Sequence, residues 1–147
     1  MSGGAGYAQT PLLTLLPEPA TFELGRAVAS AGDLDGDGTP DVLLGEPEAH
    51  GPFGQSGRIR VFSGASAVVL LLVNGDAADD DFGHSVAGGV DADGDAVPDV
   101  LVGAPFHDAT GLNSGRAKLV SGGNGAILQV WDGASAYDML GWAVAWG

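Results

Sequence analysis

The chain has 147 residues, a hydrophobic fraction of 45%, 26 glycines, eight prolines and no cysteine. This length and composition predict a single domain of short strands and tight turns, without disulfides or thiolate chemistry. The formal net charge of −14 argues against binding to nucleic acid or to anionic membranes, because both require basic surface, and it favours cations as partners.

The first segment of the chain, residues 1–24, carries no targeting signal. It lacks the basic and apolar regions of a signal peptide, so we expect none in this chain. The most apolar run, Ala67–Val73, is much shorter than the ~20 residues of a membrane-spanning helix, which predicts no membrane insertion. We interpret residues 1–24 as an N-terminal tail that includes the last strand of a preceding repeat unit, a blade of the β-propeller predicted from the repeats described next.

An internal repeat organises the rest of the chain. Residues 25–47 resemble residues 83–105, and residues 56–64 resemble residues 114–122, both at a shift of 58 positions. Self-similarity at a fixed period is typical of repeat architectures. We therefore predict two whole repeats and the first strand of a truncated third, over residues 25–82, 83–140 and 141–147.

Each whole repeat offers four short strand candidates separated by turn residues. The first repeat has GRAVASAG, DVLLGEP, GRIRVFSG and VVLLLV, and the second has GHSVAGGV, DVLVGAP, GRAKLVSG and AILQVW. A recurring unit of four strands is typical of β-propeller blades rather than of a sandwich. The sequence predicts an all-β fold of about two and a half blades, each of four antiparallel strands. That number cannot close a ring of about four to eight blades, so we expect further blades or a homo-oligomer.

Two nine-residue acidic loops carry the main chemistry. DLDGDGTPD over residues 33–41 and DADGDAVPD over residues 91–99 both have Asp at positions 1, 3, 5 and 9. A loop that curls around an ion presents alternate residues to it, and these acids with the carbonyl of position 7 would supply about the six to eight oxygens that Ca²⁺ takes. We predict two Ca²⁺ sites, one per whole repeat, held by carboxylates and by the carbonyl oxygen at position 7: Asp33, Asp35, Asp37, Thr39, Asp41, Asp91, Asp93, Asp95, Val97 and Asp99.

The residue types in these loops argue against other metal sites. Neither loop contains Cys or His, which disfavours zinc, copper and iron, and all-oxygen ligands favour calcium over magnesium. An EF-hand requires Glu at position 12, where these loops have Leu44 and Val102. The alternative is a solvated Asp-Gly turn, and the second copy in register argues against it. At position 6 the second loop has Ala96 in place of Gly38, so we expect weaker binding there if that residue adopts a positive φ.

The remaining polar residues do not form a recognisable catalytic set. His50, His84 and His107 lack a serine–acid or second-histidine arrangement, and we predict that the chain is not an enzyme. The acidic run Asp76–Asp81 is interpreted as a solvated linker, with a cation patch as the alternative. Basic residues recur in the third strand candidate of each repeat, which predicts a surface row that balances acidic neighbours: Arg58, Arg60, Arg116 and Lys118.

These motifs together resemble the FG-GAP repeats of integrin α-subunit propellers and their bacterial relatives. The second repeat carries Phe82-Gly83, the acidic loop and Gly103-Ala104-Pro105, whereas the first has Leu24-Gly25 and Gly45-Glu46-Pro47 at the naming positions. The resemblance implies a seven-bladed propeller in the complete protein, with calcium between strands 1 and 2 of several blades. It also implies an extracellular or cell-surface setting and a role in adhesion or ligand binding.

The leading functional hypothesis is a calcium-binding propeller segment that acts as an extracellular scaffold for recognition or adhesion, with calcium mainly structural. Its partners would be calcium, further propeller blades or copies of itself, and an unidentified protein ligand. Two alternatives remain at this point. One is a self-assembling fragment that homo-oligomerisation completes, and the other is a non-catalytic appendage of a secreted hydrolase.

Overall fold

The computed structural model describes Thr14 and residues 24–147. The strand predicted within residues 1–24 therefore lies outside the described residues. The described part contains strands and turns, and no helix in it has the length and apolar character needed to span a membrane.

Eight strands form where the alternating and apolar runs of the two repeats predict them. Turn residues rich in Gly, Asp and Pro separate them, because these residues favour tight turns and interrupt strand pairing. The strands are β1 Ala27–Gly32, β2 Asp41–Glu46, β3 Arg58–Phe62, β4 Val69–Asn74, β5 Ser85–Val90, β6 Asp99–Ala104, β7 Arg116–Val120 and β8 Ile127–Asp132.

The strands make two four-stranded antiparallel sheets, which confirms the predicted fold class. The first sheet has the order β1-β2-β3-β4 and the second β5-β6-β7-β8, so each repeat is one meander of sequential neighbours. Equivalent strands keep equivalent register: Leu43 pairs with Val61 in the first sheet, and Leu101 pairs with Leu119 in the second. We refer to the two sheets as blade 1 and blade 2.

The two blades pack face to face, with β5 of blade 2 lying against β1 and β2 of blade 1. The side chains between them are fully buried, with at most 2% of their surface exposed, because each blade is apolar on the face that meets its neighbour. This core joins both repeats: Ala31, Leu43, Ile59, Val61, Phe82, Val100, Val102, Ala104 and Val120.

Glycines at the repeat boundary allow the blades to approach at backbone distance. A Cβ on Gly45 would lie 2.0 Å from the carbonyl oxygen of Gly83, and a Cβ on Gly103 would lie 1.9 Å from that of Gly141. The first glycine of each GAP or GEP triplet therefore contacts the glycine that opens the next repeat. Any larger residue at Gly45 or Gly103 would push two main chains apart.

The outer face of blade 2 exposes the residues that blade 1 buries. Leu43 and Val61 of blade 1 are fully buried, whereas their counterparts Leu101 and Leu119 are half-buried, and Trp131 on β8 has 45% of its surface exposed. Residues 141–147 follow this face and form no strand. A blade's first strand pairs with its second, and the sheets of the described residues contain no strand after β8.

Candidate metal centre

The two acidic loops connect the first two strands of each blade, residues 33–40 between β1 and β2 and residues 91–98 between β5 and β6. The sequence folds into a tight loop here because Asp side chains accept hydrogen bonds from main-chain N–H groups a few residues ahead. Both loops are exposed at their tips and end in a buried Asp at position 9.

The carboxylate of Asp33 organises the first loop. Its Oδ1 accepts hydrogen bonds from the N–H groups of Gly36 and Asp37 at 2.8 and 3.1 Å, and its Oδ2 accepts one from Gly38 at 2.9 Å. Asp35 and Asp37 then accept from the N–H groups two residues ahead, at Asp37 and Thr39. Oxygens of Asp33, Asp35 and Asp37 come within 4.8 Å of one another.

The second loop repeats most of this arrangement. Asp91 accepts hydrogen bonds from the N–H groups of Gly94 at 2.6 Å and Ala96 at 2.9 Å, as Asp33 does from Gly36 and Gly38. Asp95 accepts from the N–H of Val97 at 2.8 Å. Oxygens of Asp91, Asp93 and Asp99 come within 4.8 Å of one another. The close group of carboxylates therefore includes position 9 in the second loop, whereas in the first loop it includes position 5.

The Asp at position 9 differs from the other acids because it is buried and contacts a second turn. Asp41 has 1% of its surface exposed; its Oδ2 accepts from the N–H of Leu34 at 2.7 Å and its Oδ1 from the N–H of Gly64 at 3.0 Å. Asp99 is fully buried and makes the same two bonds, with Ala92 at 2.7 Å and Gly122 at 3.0 Å.

Position 6 adopts a left-handed conformation in both loops. Gly38 has a φ of +88°, and Ala96 has a φ of +71°, a region that costs an L-residue with a Cβ free energy relative to glycine. Weaker binding at the second loop was expected if Ala96 adopts a positive φ, and it does. Gly36 and Gly94 at position 4 also have positive φ, with no atom within 4 Å of a hypothetical Cβ, so backbone conformation rather than space favours glycine there.

The residues of both loops fit a hard divalent cation. All converging side-chain donors are carboxylate oxygens, and each carboxylate has more acceptor sites than its main-chain hydrogen bonds use. Desolvation in the loop, together with repulsion from Asp95, Asp99 and Asp91, raises the pKa of the Asp93 carboxyl. The second loop therefore concentrates negative charge that a cation would neutralise.

The basic residues of β3 are buried, contrary to the predicted surface row. Arg58 and Arg60 both contact the carboxylate of Glu46, which is fully buried; the Nε of Arg58 lies 3.0 Å from Oε2, and the Nε of Arg60 donates to Oε1. Register brings them together, because Glu46 pairs directly with Arg58 on the neighbouring strand. Glu46 replaces the Ala of the triplet, as Ala104 shows in blade 2, and this substitution was the sequence signal for a buried ionic cluster.

Blade 2 distributes the same two basic positions differently. Arg116 forms a two-point contact with Asp132 on β8, at 2.6 and 3.0 Å, and remains partly exposed. Lys118 is buried and donates from its Nζ to Asp76 of the inter-blade linker at 2.7 Å. The acidic run Asp76–Asp81 was predicted to be a solvated linker. Part of it instead contacts blade 2, so the run is not wholly solvated.

A third group of potential ligands joins this linker to the loop after β6; the sequence offered the linker as a cation patch only as an alternative, and it did not indicate the part played by His107. Asp76, Asp80 and His107 bring ligand atoms within 4.8 Å of one another, and the Nδ1 of His107 contacts the Oδ2 of Asp80. His107 follows β6, so the contact ties the linker to the blade that it precedes. The ammonium of Lys118 already neutralises Asp76, and we interpret the group as an ionic contact rather than a metal site.

The carboxyl of Asp80 gives a pH dependence with a defined sign. Burial raises its pKa, against the lowering effect of the contact with His107. Its contribution to stability is therefore complete below its unfolded pKa of about 3.9 and is lost as the pH rises through the folded pKa. Asp80→Asn cannot ionise, so its free energy of unfolding relative to wild type should rise as the pH increases from below the unfolded pKa of Asp through the raised pKa of Asp80 in the folded chain.

Urea unfolding across that pH range tests this prediction, with Asp132→Asn as the control of opposite sign. The hydrogen bond from Arg116 lowers the pKa of Asp132, so stability from Asp132 is present above its unfolded pKa and is lost as the pH falls. Asp132→Asn should accordingly lose stability relative to wild type as the pH rises. A pH-independent difference for Asp80→Asn would contradict the assignment.

Comparisons with known proteins agree with the architecture. The FG-GAP repeat profile matches residues 24–62 and 82–127, more than half of the chain. Integrin alpha-7 of Rattus norvegicus is 34% identical over 109 residues, which are 71% of this chain and 9% of the relative. Integrin alpha-5 of Xenopus laevis is 35% identical over 121 residues, 77% of this chain and 11% of the relative.

A nematode relative extends the same similarity. Integrin alpha pat-2 of Caenorhabditis briggsae is 38% identical over 88 residues, 54% of this chain and 7% of the relative. The chain thus spans about a tenth of the length of the curated relatives that it matches. The repeat profile, the two four-stranded blades and the two acidic loops in register agree, and the chain belongs to the FG-GAP repeat family.

Proposed function

We propose that the chain is a calcium-binding propeller segment, in which one Ca²⁺ per blade holds the first two strands together and stabilises a scaffold for recognition or adhesion. The observation that supports this most is the recurrence of the acidic loop. Two loops 58 residues apart place Asp at the same four positions, and both fold around the same pattern of main-chain hydrogen bonds. Two independent solvated turns would not be expected to share both features.

The proposed ligands divide into two groups by burial. Asp33, Asp35 and Asp37, and in the second loop Asp91, Asp93 and Asp95, hold the ion from the exposed part of each loop. Asp41 and Asp99 hold it from the buried end, and the carbonyl oxygens of Thr39 and Val97 complete the set. The ion supplies positive charge that offsets the repulsion among four carboxylates. The chain's own residues supply the geometry, because their hydrogen bonds fix the loop.

We propose an extracellular or cell-surface setting for this scaffold, with a protein ligand and no catalytic role. Several of its relatives are integrin alpha chains, and the family resemblance supports adhesion or ligand recognition as the function of the whole protein. In this proposal, any chemistry of a hydrolase to which such a segment is appended would lie outside this chain. Fold alone does not identify the ligand.

Self-assembly is the second candidate, and the outer face of blade 2 favours it. The side chain of Trp131 exposes 45% of its surface, and the strand register places it on the same face as the half-buried Leu101 and Leu119. Light scattering of the chain with and without calcium tests the candidate. A multimer that dissociates on Trp131→Asp would support association through this face, and a monomer at all concentrations would remove it in favour of further blades.

Calorimetric titration of the metal-free chain tests the calcium assignment. We expect calcium to bind more tightly than magnesium, because four carboxylates and a carbonyl suit the larger ion, which needs more ligands and tolerates irregular geometry. Equal affinity for the two ions, or no heat of binding with either, would contradict the proposal.

The second site should bind more weakly than the first, since Ala96 adopts a positive φ where Gly38 stands in the first loop. Replacing Ala96 with Gly removes strain of about 1 kcal/mol, which corresponds to roughly a fivefold gain in affinity if the loop orders on binding. Titration of Asp35→Ala reports the second site alone, and titration of Asp93→Ala reports the first. A second site that is tighter than the first, or unaffected by Ala96→Gly, would overturn this prediction.

A further inference from the structure

The buried Asp at position 9 joins each acidic loop to a distant turn of the same blade. Asp41 accepts the N–H of Gly64 in the β3–β4 turn across 23 residues of sequence, and Asp99 accepts the N–H of Gly122 in the β7–β8 turn across the same separation. The hydrogen bonds of Asp33, Asp35 and Asp37 span five residues or fewer. Position 9 is therefore the only acid of each loop with a hydrogen bond to another turn among the described residues.

The turns at the other end of these bonds are shaped for close contact with the loops. A Cβ on Gly64 would lie 2.1 Å from the carbonyl oxygen of Pro40, and a Cβ on Gly122 would lie 1.8 Å from that of Pro98. Both glycines have ordinary φ values, so the approach of the main chain, and not the backbone conformation, requires glycine. In blade 2 a Cβ on Gly123 would also lie 2.8 Å from an oxygen of Asp95, a second point of contact.

The two turns are themselves held by matching hydrogen bonds. The N–H of Ser63 donates to Val68 and that of Ala67 to Ser63, and in blade 2 Ser121 donates to Ala126 and Gly125 to Ser121. Each turn is thus a firm element whose first glycine contacts the acidic loop. The same assembly of loop, carboxylate and turn occurs in both blades.

We propose that Asp41 and Asp99 are positioning residues that couple each ion loop to the turn between the third and fourth strands of its blade. The inference rests on the proposed calcium function. One oxygen of each carboxylate is fixed by the turn and the other by the start of the loop, so the turn determines where the ligand group lies. Coupling between binding equilibria is reciprocal, so an ion that orders the loop must also hold the turn more firmly.

Two glycine substitutions test the coupling without changing any acidic residue. Gly64→Ala should push the β3–β4 turn from Pro40 and weaken calcium binding at the first loop by at least about fivefold, the lower end of ordinary coupling between sites. The second loop should be unaffected. Gly122→Ala should weaken calcium binding at the second loop and leave the first unaffected, so that each variant is the matched control of the other. Unchanged affinity at the adjacent loop in both variants would overturn the proposal.

Hydrogen exchange of the Gly64 and Gly122 amides provides a test that requires no glycine variant. Calcium should slow both amides in the wild-type chain, and Asp41→Asn should speed exchange at Gly64 and leave Gly122 unchanged even without metal. If the chain binds no calcium, the proposed function fails, and the metal-free comparison still tests the contact. If calcium binds and leaves both amides unchanged, the coupling is wrong and the calcium function stands.

Discussion

Glu46→Ala should destabilise the chain by about 3–5 kcal/mol, the range found when one partner of a buried ionic group is removed. Glu46 is fully buried, and its carboxylate contacts both Arg58 and Arg60 on the neighbouring strand. The substitution takes away the negative charge that these two buried guanidinium groups contact. The cost reflects the loss of that partner, because an apolar replacement of a whole ionic cluster can be neutral.

Urea unfolding of three variants separates burial from charge. Asp132→Ala removes the carboxylate that contacts Arg116, the counterpart of Arg58 in blade 2. Both of these side chains are partly exposed, so the loss of stability should stay below about 1 kcal/mol. Glu46→Gln keeps the side-chain shape and one acceptor oxygen, so its loss of stability should lie between those of Glu46→Ala and Asp132→Ala. Equal costs for Glu46→Ala and Asp132→Ala would show that the buried cluster has no special role.

Removal of calcium from both sites should lower the melting temperature of the wild-type chain by about 4–24 °C. Each ion that binds only the folded state adds RT ln(1 + [L]/Kd), which is about 1–3 kcal/mol per site at millimolar calcium. For a chain of this size each kcal/mol corresponds to a shift of about 2–4 °C or somewhat more. Differential scanning calorimetry in excess calcium and in excess chelator measures this difference.

The control for chelation is the double variant Asp35→Ala with Asp93→Ala. Both residues are exposed and lie in the ion loops, so their loss should remove binding without opening the core. The melting temperature of this variant should not respond to chelator, and magnesium should restore less of the wild-type stability than calcium does. A chelator effect of equal size in wild type and variant would place the cation elsewhere.

The strands and acidic loops were predictable from the sequence because they are encoded locally. Alternation of apolar residues and the Gly, Asp and Pro turns predicted four strands per repeat, and the two repeats within residues 24–147 have eight strands in the expected order. The repeat gave a second observation of each motif. Comparison of the two copies at position 6, Gly38 and Ala96, raised the question of a positive φ there, and both residues have a positive φ in the structure.

The ionic contacts were harder to predict because they depend on residues far apart in sequence. Arg58 and Arg60 were expected on the surface, and their burial follows from the strand register, which pairs Arg58 with Glu46 and places Arg60 two residues along the same face. The contact of Asp80 with His107 joins a linker to a loop beyond the next two strands. Likewise, nothing near Asp41 in the sequence indicates that its carboxylate reaches Gly64. Such contacts follow from the packing of the blades.

The central claim is that each blade holds one calcium ion in its acidic loop. The most direct test is the number of ions bound, measured by equilibrium dialysis at saturating calcium for the wild-type chain and for Asp35→Ala, Asp93→Ala and the double variant. We expect two ions in the wild type, one in each single variant and none in the double variant. A wild-type chain without bound calcium, or a number that the substitutions leave unchanged, would contradict the account.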